Sequence, residues 1–367
     1  MSEDYPKLLA SNLKRFRRER GLAQSKLAEL AGVSLPCVKK LEGAKVAKPE
    51  AATLAALAGA LRVAVGDFFR APKTLASARF RANASLRPAA RDYVVSSCAT
   101  WIERYCFLED ALERRTEFCV ERPKRSATFD PAEYAETFRR ELGFDDAAPI
   151  ASVADVLAKC GVKFWFSDKR PAPTVFGLAI SESPQATGVV VFNAPDVSVE
   201  RRVFSTIHEL GHLLLHEHSF DANVVEENAD EEREADAFAG RFLMPRRAFL
   251  SRWRETAGLP FVDRVLIVKR LFRVSYRTVC RRLVEEGLES TNVYRRFAWE
   301  YRNETGKDLK NHREPAPLSR FDAPPDGFRR LVFQAVREEQ ITLSKAAEFL
   351  GTTVPELYES FKPEGDA

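Results

Sequence analysis

Four of the chain's five histidines fall in one stretch, FSTIHELGHLLLHEH, residues 204 to 218. Within it, His208-Glu209-Leu210-Gly211-His212 fits H-E-x-x-H. On a helix, positions i and i+4 share a face about one turn apart, so both imidazoles can reach a single zinc ion while Glu209 lies beside them. A catalytic zinc also needs a third protein ligand and an open position for water. The acidic run DEEREADAFAGRFLMP, residues 230 to 245, offers Glu231, Glu232, Glu234 and Asp236. Glu232 and Asp236 are again i and i+4. A carboxylate that binds metal and one that accepts a hydrogen bond from a ligand imidazole can therefore share one face. Glu231 and Glu234 are read as solvated helix charge, and either replaces Glu232 if the helix is phased differently. His216 is read as packing or hydrogen-bonding beneath the site, and Phe238 with Phe242 as core. For stabilising an oxyanion the candidates are His218, Tyr276 and Arg202.

These side chains need two helices to hold them, one from about Val199 to His216 and one from about Ala229 to Leu243, closed by Met244-Pro245. Upstream, Asp130-Pro131-Ala132-Glu133 supplies an N-cap, a proline in the first turn and an acid at N3, a strong helix start. A further helix near Ser152 to Cys160 ends at Gly161. The runs VKFWF (162 to 166), VFGLAI (175 to 180) and GVVVFN (188 to 193) predict a small three-stranded sheet. Downstream, helices are expected at Phe261 to Phe272 and Tyr276 to Glu285, and Phe328 to Phe361 is helical with a helix, glycine turn, helix layout in LSKAAEFLGTTVPELYES, read as packing.

A second constellation lies at the front of the chain. In QSKLAELAGVSLPCVKKLE, residues 24 to 42, Leu27, Ala28 and Ala31 face inward from one helix and Gly32 allows a sharp turn. Ser34 caps the next helix, which Val38 and Leu41 anchor. Lys39 and Lys40 are left outside. A recognition helix is positioned by phosphate contacts from Lys, Arg and helix N-termini, and it reads bases near its own N-terminus. Residues 1 to 70 carry thirteen Lys/Arg against seven Asp/Glu, although the whole chain has a net charge of only +4. The basic character is therefore concentrated beside this helix pair.

Six scattered cysteines without a CxxC pair argue against a disulfide framework or a cysteine zinc site. No long uncharged apolar run and no secretory layout occur, so no membrane partner and a cytoplasmic location are expected. The fold class is α+β, mostly α. Residues 1–70 form a five-helix repressor-like domain, 71–125 a basic linker and a long helix, and 126–250 a zincin-like domain. Residues 251–300 form a helical helix-turn-helix-like subdomain and 301–367 a helical C-terminal region.

Over residues 8 to 69, the pattern Gln24, Leu27-Ala28, Ala31-Gly32-Val33-Ser34 and Glu42 resembles the Xre or phage-repressor helix-turn-helix family. That resemblance implies double-stranded DNA as partner, with Gln24, Ser34, Lys39 and Lys40 at the contact, and a homodimer to match operator symmetry. The family often has polar residues after the serine, where this chain has Leu35, Pro36 and Cys37. The H-E-x-x-H helix followed by an E-x-x-x-D helix is similar to thermolysin-like peptidases. RRVFSTIHELGHLLLH, EREADAFAGRFLMP and the lead-in APIASVADVLAKCGVKFWF resemble the ImmA/IrrE family of metallopeptidase domains over about residues 130 to 250. By that resemblance His208, His212 and Glu232 are ligands, Asp236 orients a ligand histidine and Glu209 is the general base. Many members have Asn where Asp236 stands. The metal implied is zinc, with manganese as the alternative.

Two functions follow. In one, a DNA-binding regulator carries an endopeptidase that cleaves an Xre-type repressor in a stress or mobile-element response. In the other, a transcription factor uses a proteolytically silent metallopeptidase fold as a metal or small-ligand sensor, as in acyl-CoA regulators of similar build. The presence of Glu209 beside a full ligand set favours the enzyme.

Overall fold

The chain opens with α1 (Tyr5–Glu19), α2 (Gln24–Ala31), α3 (Leu35–Glu42) and α4 (Ala51–Leu61), followed by a 3-10 turn at Val65–Phe69. Next come β1 (Ala78–Ala82), α5 (Pro88–Ala111), α6 (Pro131–Glu141) and α7 (Val153–Lys159). β2 (Lys163–Ser167), β3 (Val175–Ser181) and β4 (Thr187–Phe192) lead to α8 (Val199–Leu215) and α9 (Ala229–Leu243). The remainder is α10 (Arg246–Glu255), α11 (Phe261–Phe272), α12 (Tyr276–Glu285), α13 (Val293–Thr305), α14 (Gly327–Arg337), α15 (Leu343–Leu350) and α16 (Val354–Glu359). This computed structural model describes residues 5–70, 75–82, 88–167, 175–192, 197–220, 228–309, 314–319, 322 and 326–359. The chain divides into two units, one of residues 1–74, 88–114 and 329–367, the other of 75–87 and 115–328.

In the first unit, Leu9, Leu13, Leu27, Val38, Leu41, Leu57 and Leu61 close a core between α1 and α4, and Phe68 of the 3-10 turn completes it. The expected fifth helix is this short 3-10 helix. Gly32 ends α2 at φ 63°, a left-handed conformation that glycine adopts without steric cost. From far downstream in the sequence, α15 and α16 join the same unit. Arg20 donates to the Gly351 carbonyl at 2.9 Å, Arg62 pairs with Glu356 at 3.2 Å, and the Arg104 guanidinium lies 5.1 Å from the Phe349 ring centre.

The second unit is built on a sheet of order β1-β3-β4-β2. β1 and β4 are antiparallel to β3, whereas β2 is parallel to β4. The sheet has four strands rather than the three expected, because Ala78–Ala82 of the supposed linker pairs with β3. Its Ala-Arg-Phe-Arg-Ala alternation is a strand signal that the basic charge disguised. Every residue of β4 is buried, as suits a strand covered on both faces.

α8 starts on Ser198, whose hydroxyl accepts from the Arg201 amide, and α9 on Asn228, whose side chain accepts from the Asp230 and Glu231 amides. Three acids in the first turn of α9 suit the positive end of its dipole. Leu210, Leu213 and Leu214 of α8 share one core with Phe238, Ala239 and Phe242 of α9. The last two phenylalanines stack at 5.8 Å, and Phe242 lies 6.1 Å from Phe138 of α6. They are core, as the sequence suggested.

A buried ionic knot ties the start of α8 to α11. Lys269 Nζ lies 2.6 Å from Glu200 Oε1 and 3.3 Å from Glu314 Oε1. Glu200 also accepts from the Leu318 amide, and Glu314 from the Tyr276 amide. One lysine faces two acids, and burial pushes the Glu314 carboxyl from 4.5 up to about 7, against the pull of Lys269. Between those values the folded chain holds a proton that the unfolded chain releases, so stability falls as pH rises through this window. From pH 4.5 to pH 7.5 the loss through this group is roughly 3 kcal/mol. Urea unfolding at the two pH values checks it: Glu314→Gln should flatten the difference, and an unchanged difference refutes the assignment.

Candidate metal centre and nucleic-acid interface

Because α8 and α9 pack side by side, His208, His212 and Glu232 bring one donor atom each to within 4.8 Å of one another. The two Nε2 atoms are 3.0 Å apart, and Glu232 oxygens lie 3.2 Å from His208 Nε2 and 3.1 Å from His212 Nε2. Both histidines are buried.

The opposite edges of the rings are committed. His208 Nδ1 lies 2.9 Å from Asp236 Oδ1, and a carboxylate can only accept, so the Nδ1 nitrogen carries the proton. His212 Nδ1 lies 2.8 Å from His216 Nδ1, and His216 Nε2 lies 2.9 Å from Glu234 Oε2. Glu234 fixes the proton on His216 Nε2, which leaves His216 Nδ1 as acceptor for the His212 Nδ1 proton. In the neutral rings both Nε2 atoms then present lone pairs to one point. Burial drives His212 far below its ordinary value despite Glu232 beside it, which favours that neutral form. Two imidazole lone pairs and a carboxylate converging in a buried place are a donor set for a metal cation. The residues fit one.

Outer partners hold the carboxylates. Arg281 of α12 donates to Asp236 Oδ2 at 3.2 Å, and Arg125 pairs with Glu234. Arg79 of β1 donates to Glu231 and, at 3.2 Å, to Glu232. Glu234 is therefore not a solvated helix charge; it closes the line that runs from His212 through His216. That role could have been read from His216 standing at i+4 from His212. Arg79, some 150 positions upstream of its partners, left no such signal.

Glu209 is fully buried and is not among the three converging donors. Its carboxylate lies against Gly177 of β3, where an added Cβ would come within 2.3 Å of Oε1. Glycine at 177 thus makes room for this carboxylate. Of the oxyanion candidates, Tyr276 stacks on Phe297 in the core, Arg202 donates to the Val197 carbonyl and His218 is exposed.

In the first unit, Ser34 caps α3 by accepting from the Cys37 amide at 3.3 Å, and Lys39 and Lys40 are exposed on the same helix. Gln24 donates to Glu42 Oε2 at 2.7 Å, and Arg17 reaches Glu42 Oε1 through Nε and Oε2, at 2.9 Å, through Nη2. The Gln24 amide nitrogen is thus engaged inside the domain, where the Gln-to-Glu spacing locks α2 to the end of α3. Lys39 and Lys40 are adjacent exposed cations near the end of α3.

No helix among the described residues is long and apolar enough to cross a membrane. No curated protein matches the chain. Residues 12–73 match the Cro/C1-type HTH DNA-binding domain, and residues 171–284 match the IrrE N-terminal-like domain of a peptidase family. The chain joins a Cro/C1-type helix-turn-helix DNA-binding domain to an IrrE N-terminal-like domain.

Proposed function

We propose that the chain is a DNA-binding regulator whose second unit is a zinc-dependent endopeptidase, and that its substrate is an Xre-type repressor, cut in a stress or mobile-element response. The observation that carries this reading is the convergence of His208 Nε2, His212 Nε2 and Glu232 on one point, with buried Glu209 on the same helix. Zinc held there by these three residues supplies a Lewis acid that polarises the scissile carbonyl and makes water more acidic. Glu209 accepts the proton of the attacking water and returns it to the leaving nitrogen, as the new C–O bond forms and the C–N bond breaks. Asp236 and His216 keep the ligand rings in the tautomer that faces the metal.

The test is to incubate the zinc- or manganese-loaded chain with Xre-type repressors encoded beside it and to sequence any fragments. A defined new N-terminus is the expected result. A metal-loaded chain that cuts none of them overturns the peptidase and leaves the sensor reading.

His216→Phe keeps the bulk but removes the acceptor for His212 Nδ1–H. Zinc affinity, measured by competition with a chelator, should fall about 10- to 100-fold. An unchanged affinity would make His216 mere packing.

On the DNA side, we assign docking to α3 through Ser34, Lys39 and Lys40, with Gln24 at its flank. Replacing Lys39 and Lys40 together by alanine should weaken DNA binding across sequences. It should also lower the slope of log K against log salt by about 2, near 0.9 for each phosphate no longer neutralised. Equal slopes for both proteins would remove α3 from the interface.

A further inference from the structure

The strand that completes the sheet does not come from the run of chain that builds the rest of the second unit. Apart from residues 75–87, that unit is continuous from 115 to 328, and both flanks of the 75–87 segment belong to the other unit. The family match, residues 171–284, includes β3 and β4 and leaves β1 and β2 out, and of these two only β1 lies outside the continuous run. By its place in the chain β1 is an addition to a sheet edge, and the edge in question is the one beside the metal cluster.

Three contacts fix its position there. Gly177 of β3 carries the Glu209 carboxylate against its Cα, and the register partner of Gly177 is Arg81. Two residues before Arg81, Arg79 reaches Glu231 and the metal-cluster residue Glu232. All three side chains are largely buried, Arg79 at 10 % exposure and each acid at 19 %. The pairing shifts register between Arg81 and Ala82, so the regular ladder covers Ala78 to Arg81. An extended backbone thus runs antiparallel to β3 along the cluster, with an arginine held by two acids.

We propose that the outer edge of β3 is the strand-addition site for the peptidase's substrate. It takes an extended segment with an arginine for the Glu231–Glu232 pair, and Ala78–Ala82 is a resident occupant that a substrate must displace. Backbone pairing supplies affinity, and the acid pair supplies the side-chain preference. Because β1 is tethered at both ends, it competes at an effective concentration on the order of mM, so a substrate in trans gains access only when the strand is released. Calling the displaced partner a substrate rests on the peptidase reading; the exchange of strands at β3 does not.

The test uses the full chain carrying Glu209→Gln and a fluorescent peptide with the sequence of residues 75–82, LASARFRA, read by polarisation. In one protein Ala78→Cys and Ile180→Cys, register partners across β1 and β3, lock the strand when oxidised. In another, Arg79→Ala loosens it. The oxidised lock should bind no peptide. The reduced form of that protein should bind, and the Arg79→Ala chain should bind at least about 10-fold more tightly than the chain with an intact β1. A peptide with alanine in place of its first arginine should bind about 10-fold more weakly than LASARFRA. Equal binding by the oxidised and reduced proteins overturns the proposal, and this comparison needs no assumption about how Arg79→Ala folds. If peptide binds on release but the Glu209 chain with a freed strand cuts nothing, the strand site stands and the peptidase reading falls.

Discussion

If the chain cuts an Xre-type repressor as proposed, Glu209→Gln should lower the cleavage rate by about 10³-fold, within the range expected when a positioned general base is removed, and should leave the metal content unchanged. The two halves of this result are separable because of where Glu209 sits. It shares α8 with His208 and His212 but is not among the three converging donors. Glutamine keeps the shape of the side chain against Gly177 and loses the capacity to take a proton. Fragment yield by gel densitometry gives the first half, and metal analysis of the purified protein the second. A variant that cuts as fast as the parent would show that another group accepts the water's proton. Loss of the metal together with activity would move Glu209 into the ligand set.

Glu42→Ala should destabilise the first unit by about 3–5 kcal/mol, the range for stripping one partner from a buried ion pair. Arg17 and Glu42 side chains are 12 % and 2 % exposed, and Gln24 shares the same carboxylate. Removing Glu42 leaves a guanidinium and an amide without their acceptor at the junction of α1, α2 and α3. The pH response has a fixed sign. Burial works against ionisation of Glu42, but the hydrogen bonds from Arg17 and Gln24 outweigh it and hold the carboxyl below its ordinary value. Its contribution is complete above the unfolded value and is lost as pH falls through the folded one. Thermal melting of the parent and the variant at neutral and acid pH reads both effects. The gap between them should narrow on acidification, and a variant that melts like the parent would refute the lock.

Much of this was legible in the chain because the signals were local. H-E-x-x-H and E-x-x-x-D each place two side chains on one helix face, so the cluster required only that α8 and α9 lie side by side, which their shared phenylalanine and leucine faces ensure. Phe238, Phe242 and the end of α9 at Leu243 agree with the sequence reading to the residue. What was hidden depended on distant chain. β1 is only five residues long and carries two arginines, so its strand character shows only once β3 is beside it. The bond from Gln24 to Glu42 shows only once folding brings the two together. Arg281 and Arg79 reach the same site from opposite sides of α9 in sequence, and no spacing rule connects them to it. Between 328 and 361 the glycine turn stands where the sequence placed it, at Gly351 with φ 65° between α15 and α16, whereas the earlier break after Arg337, a turn at Glu338 and Glu339, carried no glycine or proline to announce it.

The discontinuity of the first unit has a consequence for how the protein is made. Helices α1 to α4 leave the ribosome early, but Gly351, Glu356 and Phe349, which pair with Arg20, Arg62 and Arg104, follow only after the whole second unit. The DNA-binding domain therefore acquires its full set of neighbours late in synthesis, through contacts of very long sequence separation, the kind that forms slowly. A chain stopped short at residue 328 would carry an intact peptidase-like sequence and an under-supported DNA-binding domain, so a nonsense mutation just past the second unit would first be felt in the helices made before it.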